Sequence, residues 1–501
     1  MLASAVFAVL VLVLVSAQEG EWDRQFDPQT FASHLNLFLS QTGTKIAALS
    51  PSNRGAYVRD HQVNTNRIQQ VIANLDPAEA QQSTQALITR LVPKYLSLEQ
   101  LNELHAHSLT KLLPSYFADY VGSPLPSSTS ASITQYLGLV LGVKLLQASA
   151  LNANASSSST HVVNHLSAFG PNLLRQVKGY TPSKSPTIRA TPAPFPAQSV
   201  PQSINWVDLG AVGPVLNQGS CGGCWAFAAT EVVEGRLVAG NLGSLTSLSV
   251  QQLLSCVDGG QDGCNGGSPI TAWEYVSIAG GITADSLYPF VNAKDTSAVE
   301  CSATKSAEGV VTNSFYSVVL QSEQDMLQAV AFGGPIVIAI STPSCFESYG
   351  GGVLTQNDCP CYQGPSSVDH AIVVVGFGTT AQGIDYWLAK NSWGPGWGAQ
   401  GYIMLERNVG GMGMCGLLSE PSYPDQVQYS SACAGGGSSS FCAAAGAGQT
   451  YTLVNLTTGQ SLGQCVPATG GAYFSPQCHD SHARKATVAG GLILALMLLI
   501  Y

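Results

Sequence analysis

A cysteine thiol attacks a carbonyl only as a thiolate, and it then needs a base, a group that orients the base and donors for the oxyanion. The stretch NQGSCGGCWAF, residues 217–227, holds two cysteines three positions apart, Cys221 and Cys224, ahead of an aromatic, apolar run. Three chemistries compete for such a pair. A redox motif would follow a strand in a cytosolic βαβ unit, whereas the turn-rich NQGS precedes this one. A structural zinc site would need a second Cys or His pair at compatible spacing, and the next cysteines, Cys256 and Cys264, lie eight apart. The third reading makes one sulfur a nucleophile, with its partners elsewhere in the chain. Two segments offer them: VDHAIVVVGFG puts His370 at the head of an apolar strand, and YWLAKNSWGPGWG puts Asn391 just after another.

The spacing of His370 fits the third reading, and that of Asn391 falls slightly beyond it. His370 follows Cys224 by 146 positions and Asn391 by 167, against about 130 to 150 for the pattern C-G-[SA]-C-[WY] followed by His and Asn. On these residues the chain resembles the papain-like cysteine peptidases, specifically the cathepsin L group. The resemblance spans roughly 201–424 through INWVDLGAVGPVLNQGSCGGCWAF, GCNGG, YPF, VDHAIVVVGFG, KNSWGPGWGAQGYIML and CGLLSEPSYP. Gly223 departs from it, standing where the pattern has Ser or Ala. That side chain takes no part in the chemistry.

The resemblance implies the site. Cys224 is the nucleophile at the start of an expected amphipathic helix, WAFAATEVVEGRLVAG, whose N-terminus and a neighbouring imidazolium would lower its pKa. His370 is the base that later protonates the leaving amine. Asn391 orients the imidazole under cover of Trp393, and Gln218 supplies an oxyanion donor beside the Cys224 backbone N–H. Gly266 and Gly267 let an extended peptide pair main chain to main chain. Pro269, Ala339, Val368 and Ala371 line the S2 pocket, and Glu420 is its floor. A carboxylate there accepts Arg as well as apolar residues at P2. No metal or organic cofactor is expected. The implied fold is α+β, with a helical lobe, a β-barrel-like lobe and the cleft between them.

Cysteine count agrees with one free thiol: removing a nucleophile from 13 leaves an even number. The resemblance implies pairs Cys221–Cys264 and Cys256–Cys301, with Cys415 bonded to Cys359 or Cys361. The other of these two would pair with Cys345, and Cys433, Cys442, Cys465 and Cys478 would form two more bridges.

The chain that must carry this site has 501 residues, enough for several folded units. Only 10% are charged and 45% hydrophobic, with a net charge of −10, so no basic stripe is available for nucleic acid. Residues 1–17, MLASAVFAVLVLVLVSA, read as a secretory signal peptide, placing the mature chain where disulfides form. Residues 18–200 occupy the position of an inhibitory propeptide. A helical part spans about 25–120, where only fragments of the family's helical signature stand: Arg59, Val63, Asn66 and Asn74 at the Arg, Phe, Asn and final Asn spacings, with Gln70 in the Ile slot; a Ser/Pro-rich linker covers 121–200, with removal expected near 190–200. The peptidase domain runs 201–424. Residues 425–485 read as a cysteine-containing module or stalk, and the apolar tail 486–501 as a glycosylphosphatidylinositol signal or a membrane anchor. Asn154 and Asn455 sit in glycosylation sequons. The expected partners are peptide and protein substrates and the chain's own propeptide, with the enzyme a monomer in a lysosome-like compartment or at the cell surface. The rival class is an inert surface-binding protein on the same fold.

Overall fold

The computed structural model describes residues 75–429 apart from short internal stretches, together with Ile72 and three short strands within 451–479. The expected signal peptide and C-terminal tail, the early helical signature and Asn455 lie outside the described residues, and of the module at 425–485 only these strands and residues 425–429 are described. There Cys465 stands opposite Cys478 in an antiparallel pair. Among the described residues, no helix is long and apolar enough to cross a membrane.

The N-terminal part is built on three helices: α1 (Pro77–Lys94), α2 (Leu98–His107) and α3 (Ala131–Asn152). Helix α2 opens on a capping box, with Ser97 and Gln100 each satisfying the other's backbone N–H. Helix α3 corrects the expected linker over 121–200. Its sequence, ASITQYLGLVLGVKLLQASALN, begins at the Ser130 cap, and 11 of its residues are buried under α1, α2 and the segments that follow. Leu139, Leu141 and Leu146 are fully shielded, each contributing about 1.5–3 kcal/mol of apolar burial. Gly138 and Gly142 let the helix approach closely: a Cβ at the second would stand 2.3 Å from Ser108 Oγ. After α3 the chain forms β1 (Ser159–His161) and a short helix α4 (Pro171–Gln176), then passes through a turn at Val177 to a bridge residue at Tyr180.

The C-terminal part has two lobes. The first centres on α5 (Cys224–Ala239), flanked by α6 (Val250–Cys256) and α7 (Pro269–Ile278). Helix α5 is not amphipathic as expected: 13 of its 16 residues are buried, because the sheet and both helices enclose it. The second lobe is an open sheet with strands β2 (Arg189–Ala190), β3 (Ile204–Asn205), β4 (Ser317–Val319), β5 (Ile336–Ile340), β6 (Tyr349–Leu354), β7 (His370–Thr379), β8 (Asp385–Lys390), β9 (Tyr402–Glu406) and β10 (Ser422–Pro424). Their order is β1-β6-β9-β8-β7-β5-β10-β4-β2, with β3 on β7. Strands β5 and β7 are continuous β-branched runs buried along their length, the pattern of strands covered on both faces. Helix α8 (Glu323–Gly333) packs behind them, and the one-turn helix α9 (Ser344–Glu347) leads into β6.

Two features fix the lobes against each other. Helix α5 packs on β7, and Lys390 Nζ at the end of β8 lies 2.9 Å from the Glu231 carboxylate of α5 in a buried ion pair. That pair sits one residue ahead of Asn391, so the strand end is held against the helix that begins with Cys224.

Candidate active site

Four disulfides frame the site: Cys221–Cys264, Cys256–Cys301, Cys345–Cys359 and Cys361–Cys415. The choice left open for Cys415 falls on Cys361, and Cys359 instead bonds Cys345. Cys224 is the free cysteine among the described residues, and it is buried. It is the first residue of α5, directly after the turn that the Cys221–Cys264 bridge holds.

His370 begins β7, and its Nε2 lies 2.8 Å from Asn391 Oδ1. The same oxygen accepts from the Ser392 N–H, which fixes the amide so that its carbonyl faces the ring. The Trp393 indole stacks on the imidazole with centroids 4.5 Å apart, keeping water from that hydrogen bond. His370 Nδ1 has no hydrogen-bond partner among the described residues. One ring nitrogen is therefore held and the other left for chemistry.

Gln218 is fully buried. Ser392 Oγ donates to its Oε1, so its Nε2 is turned into the cleft, where it donates to the Val177 and Cys221 carbonyls at 2.9 and 2.8 Å. The sequence reading missed Ser392. Its position beside Asn391 is the signal that could have found it, since one residue orients both polar amides of the site.

Residues 177–181 lie through the cleft. The Gly179 N–H points at Cys224 Sγ at 3.3 Å. Gly267 N–H donates to Gly179 O at 2.8 Å, and Thr181 N–H donates to Gly267 O at 2.9 Å, giving a parallel bridge between Tyr180 and Gly267. Gly266 takes φ +133°, a conformation that favours glycine. Trp393 Nε1 donates to Val177 O at 3.2 Å. A Cβ on Gly179 would stand 1.8 Å from the Gly222 carbonyl, so only glycine passes over the thiol at this depth.

The Tyr180 side chain points into the recess expected for S2, where its hydroxyl donates to Glu420 Oε2 at 2.8 Å. Glu420 is 5% exposed. Ala339 and Ala371 face one another across β5 and β7, Val368 precedes β7, and Pro269 opens α7. All four are buried.

The filled cleft sets the electrostatics. Burial pushes the Cys224 thiol up to about 12, against the smaller opposing effect of backbone N–H groups, Gly179 among them. Burial likewise pushes His370 down to about 3, with the Asn391 hydrogen bond working the other way. The expected lowered thiol pKa does not hold in this closed form, because desolvation outweighs the helix N-terminus. Among the described residues, no group of three His, Cys, Asp or Glu side chains is placed to hold a metal ion.

Comparison with known proteins agrees with this geometry. A family model described as papain family cysteine protease matches residues 200–425. Cathepsin L of Sarcophaga peregrina is 38% identical over 239 residues, 47% of this chain and 67% of that protein. Cysteine proteinase EP-B 1 of Hordeum vulgare is 39% identical over 49% of this chain and 64% of its own length. The chain thus spans about two thirds of these relatives. Digestive procathepsin L 3 from the larval midgut of Tenebrio molitor aligns with a TM-score of 0.52 at 28% identity, over 66% of this chain and all of that one. Procathepsin L2 from the same tissue gives 0.51 at 30% identity, over 60% and 95%. The chain belongs to the papain family of cysteine proteases. The procathepsin L 3 match covers 66% of this chain, more than the 226 residues of the family match.

Proposed function

We propose that the chain is a cysteine endopeptidase made as a zymogen, with Cys224, His370, Asn391 and Gln218 as its machinery. The observation that carries this reading is the His370 ring, held on Nε2 by Asn391 and open on Nδ1, in a cleft with the buried free thiol of Cys224. In the closed form thiol and imidazole are both neutral. Once residues 177–181 leave, water returns, both pKa values move back toward their ordinary ranges, and the thiol proton can pass to His370. The thiolate then adds to the scissile carbonyl, with the oxyanion facing Gln218 Nε2 and the Cys224 N–H. His370 returns the proton to the leaving amine as the C–N bond breaks, leaving a thioester. Water, deprotonated by His370, cleaves the thioester and restores the thiol.

The same reading gives P2 specificity. A buried carboxylate at the end of an otherwise apolar recess accepts Arg by charge and Leu by burial. The hydrogen bond from Tyr180 to Glu420 supports it, because Glu420 already takes a polar group from a side chain in that recess. Residues 18–200 act as the propeptide and are removed near 190–200. The mature enzyme is a monomer of the secretory pathway, resident in a lysosome-like compartment or at the cell surface and attached through its C-terminal tail. Asn154 is exposed just past α3 and open to glycosylation.

The test is labelling of the acid-activated protein with a thiol-directed epoxide, followed by mapping of the adduct. A single adduct on Cys224, lost in His370→Ala, supports the reading. No adduct and no peptide hydrolysis at any pH favours an inert binding protein on this fold. In the active enzyme, Glu420→Ala should abolish cleavage of P2 Arg peptides and spare P2 Leu, whereas equal losses on both would remove Glu420 from the pocket.

A further inference from the structure

The cleft has a second side. Tyr180 lies toward Glu420, Gly179 lies at the thiol, and Lys178 therefore falls on the opposite side, that of the leaving amine. Its ammonium is seated, not solvated. Lys178 Nζ donates to Thr342 O at 2.6 Å and lies 3.0 Å from Glu347 Oε1 and 3.4 Å from Asp369 Oδ2. Three acceptors thus meet the three N–H bonds of one ammonium. We propose that Glu347, Asp369 and the Thr342 carbonyl form a cation-selective subsite on the leaving-group side of Cys224, so that the enzyme prefers Lys or Arg immediately after the scissile bond, at P1′. This inference rests on the peptidase reading above and adds a specificity to it.

The origin of the groups carries the argument. All three acceptors belong to the region matched by the family model, whereas the cation comes from the upstream part. A second upstream cation, Lys144, stands 3.8 Å from Glu347 Oε2. When that part departs, both cations leave and the acceptors remain.

The Asp369 carboxylate and the backbone of Glu347 are also held in place without Lys178. Asp369 Oδ1 accepts from the Thr342 N–H and hydroxyl at 3.1 and 2.8 Å. Glu347 ends the one-turn helix α9, which the Cys345–Cys359 bridge ties down, and Phe346 beside it stacks on Trp397. The Glu347 carbonyl accepts from Trp397 Nε1 at 3.0 Å. A subsite ordered in advance loses little freedom when a ligand enters. Complementarity shows in the lysine itself: burial works to lower its pKa, yet Glu347 and Asp369 outweigh that and the net shift is upward. The strand direction is not decisive, because the recess belongs to the wall of the cleft and a side chain reaches it from either sense of chain.

The experiment uses the activated protein, with active sites counted by epoxide titration, and quenched peptides that share P2 Leu and differ only at P1′ as Lys, Ala or Glu. A coumarin amide with P2 Leu and no P1′ residue runs alongside. We expect kcat/KM for P1′ Lys to exceed that for Ala by about tenfold, the order of one charge-assisted hydrogen bond in a half-buried site, with Glu poorest. Glu347→Gln should shrink the Lys-to-Ala ratio to about twofold, and Glu347→Lys should put Glu ahead of Lys. A Lys-to-Ala ratio near one, or one unchanged in Glu347→Gln, with the coumarin amide still cleaved, overturns the subsite alone. If nothing is cleaved, the peptidase reading falls and the subsite with it.

Discussion

Among the stretches of the upstream part that touch the protease, residues 177–181 and 159–166 are held by different kinds of contact. Residues 177–181 are held in the cleft mainly through main chain: Val177 O, Gly179 N and O, and Thr181 N all bond to it. Residues 159–166 are held on β6 through side chains as well as strand pairing. The His161 ring meets Ser159 and Ser348, Asn164 Nδ2 donates to Glu347 O, and Ser159 Oγ donates to Asp358. The difference follows from what must later replace each stretch. On the proposed reading, a cleft that accepts many peptides can grip only the backbone they share, with side-chain selection left to the recesses at Glu420 and Glu347. The platform on β6 has one intended occupant and can use side chains that no other chain would match.

If main-chain depth is what holds the first stretch, the largest break comes from Gly179→Ala. The added Cβ falls 1.8 Å from the Gly222 carbonyl, backbone against backbone, so the segment must lift from the thiol. We expect a loss of about 3 kcal/mol in closure and epoxide labelling of Cys224 in the unprocessed chain at neutral pH at least tenfold faster than in wild type. Unchanged labelling would mean that the grip lies elsewhere.

The platform is tested by acid. His161 is 2% exposed, and burial pushes its pKa down to about 4 against the pull of Asp358. A histidine held below its ordinary value favours docking in its neutral form. The docked state thus keeps its stability above about pH 6.5 and loses it as the pH falls toward 4, by about 2 kcal/mol at pH 4.5. His161→Gln, which cannot charge, should shift the onset of labelling and self-processing to lower pH. The residual slope belongs to His370, which is lowered in the same closed state. A midpoint that does not move would give the acid response to His370 alone.

The smallest effect sharpens the comparison at one of the two side chains of this stretch that bond inside the cleft, the other being Lys178. Tyr180→Phe removes the hydroxyl bonded to Glu420, and closure should weaken by about 1 kcal/mol, read as roughly fivefold faster labelling of the unprocessed chain. A larger change would mean that the cleft reads side chains as strongly as the platform does.

The candidate site was legible in the sequence because it is carried by local patterns: a turn with two cysteines entering a helix, a strand headed by His370, and Asn391 ahead of Ser-Trp-Gly. The structure sets the His370 ring 2.8 Å from Asn391 and places Cys224 at the head of α5. Two parts were not legible. Helix α3 escapes the sequence pattern because it is apolar all round, with no face to give a period, and its flanks are rich in Ser and Pro. Gly179 gave no signal because a segment held by its carbonyl and amide leaves almost nothing in side-chain pattern, and the side-chain partners of Lys178 and Tyr180 lie at least 164 positions away in the chain. The disulfide choice between Cys359 and Cys361 was open for a similar reason: two cysteines separated by one proline reach nearly the same place.

The β1–β6 pairing carries one more consequence. Strand β6 pairs on one side with β9 and on the other with β1, which lies upstream of position 200. Processing would strip β1 away and leave a row of unmatched N–H and C=O groups along β6, an open sheet border of the kind that recruits foreign strands. Activation would thus create an aggregation hazard together with the free cleft, and the colloidal lifetime of the mature enzyme would be set along Tyr349–Leu354, away from the thiol that does its chemistry.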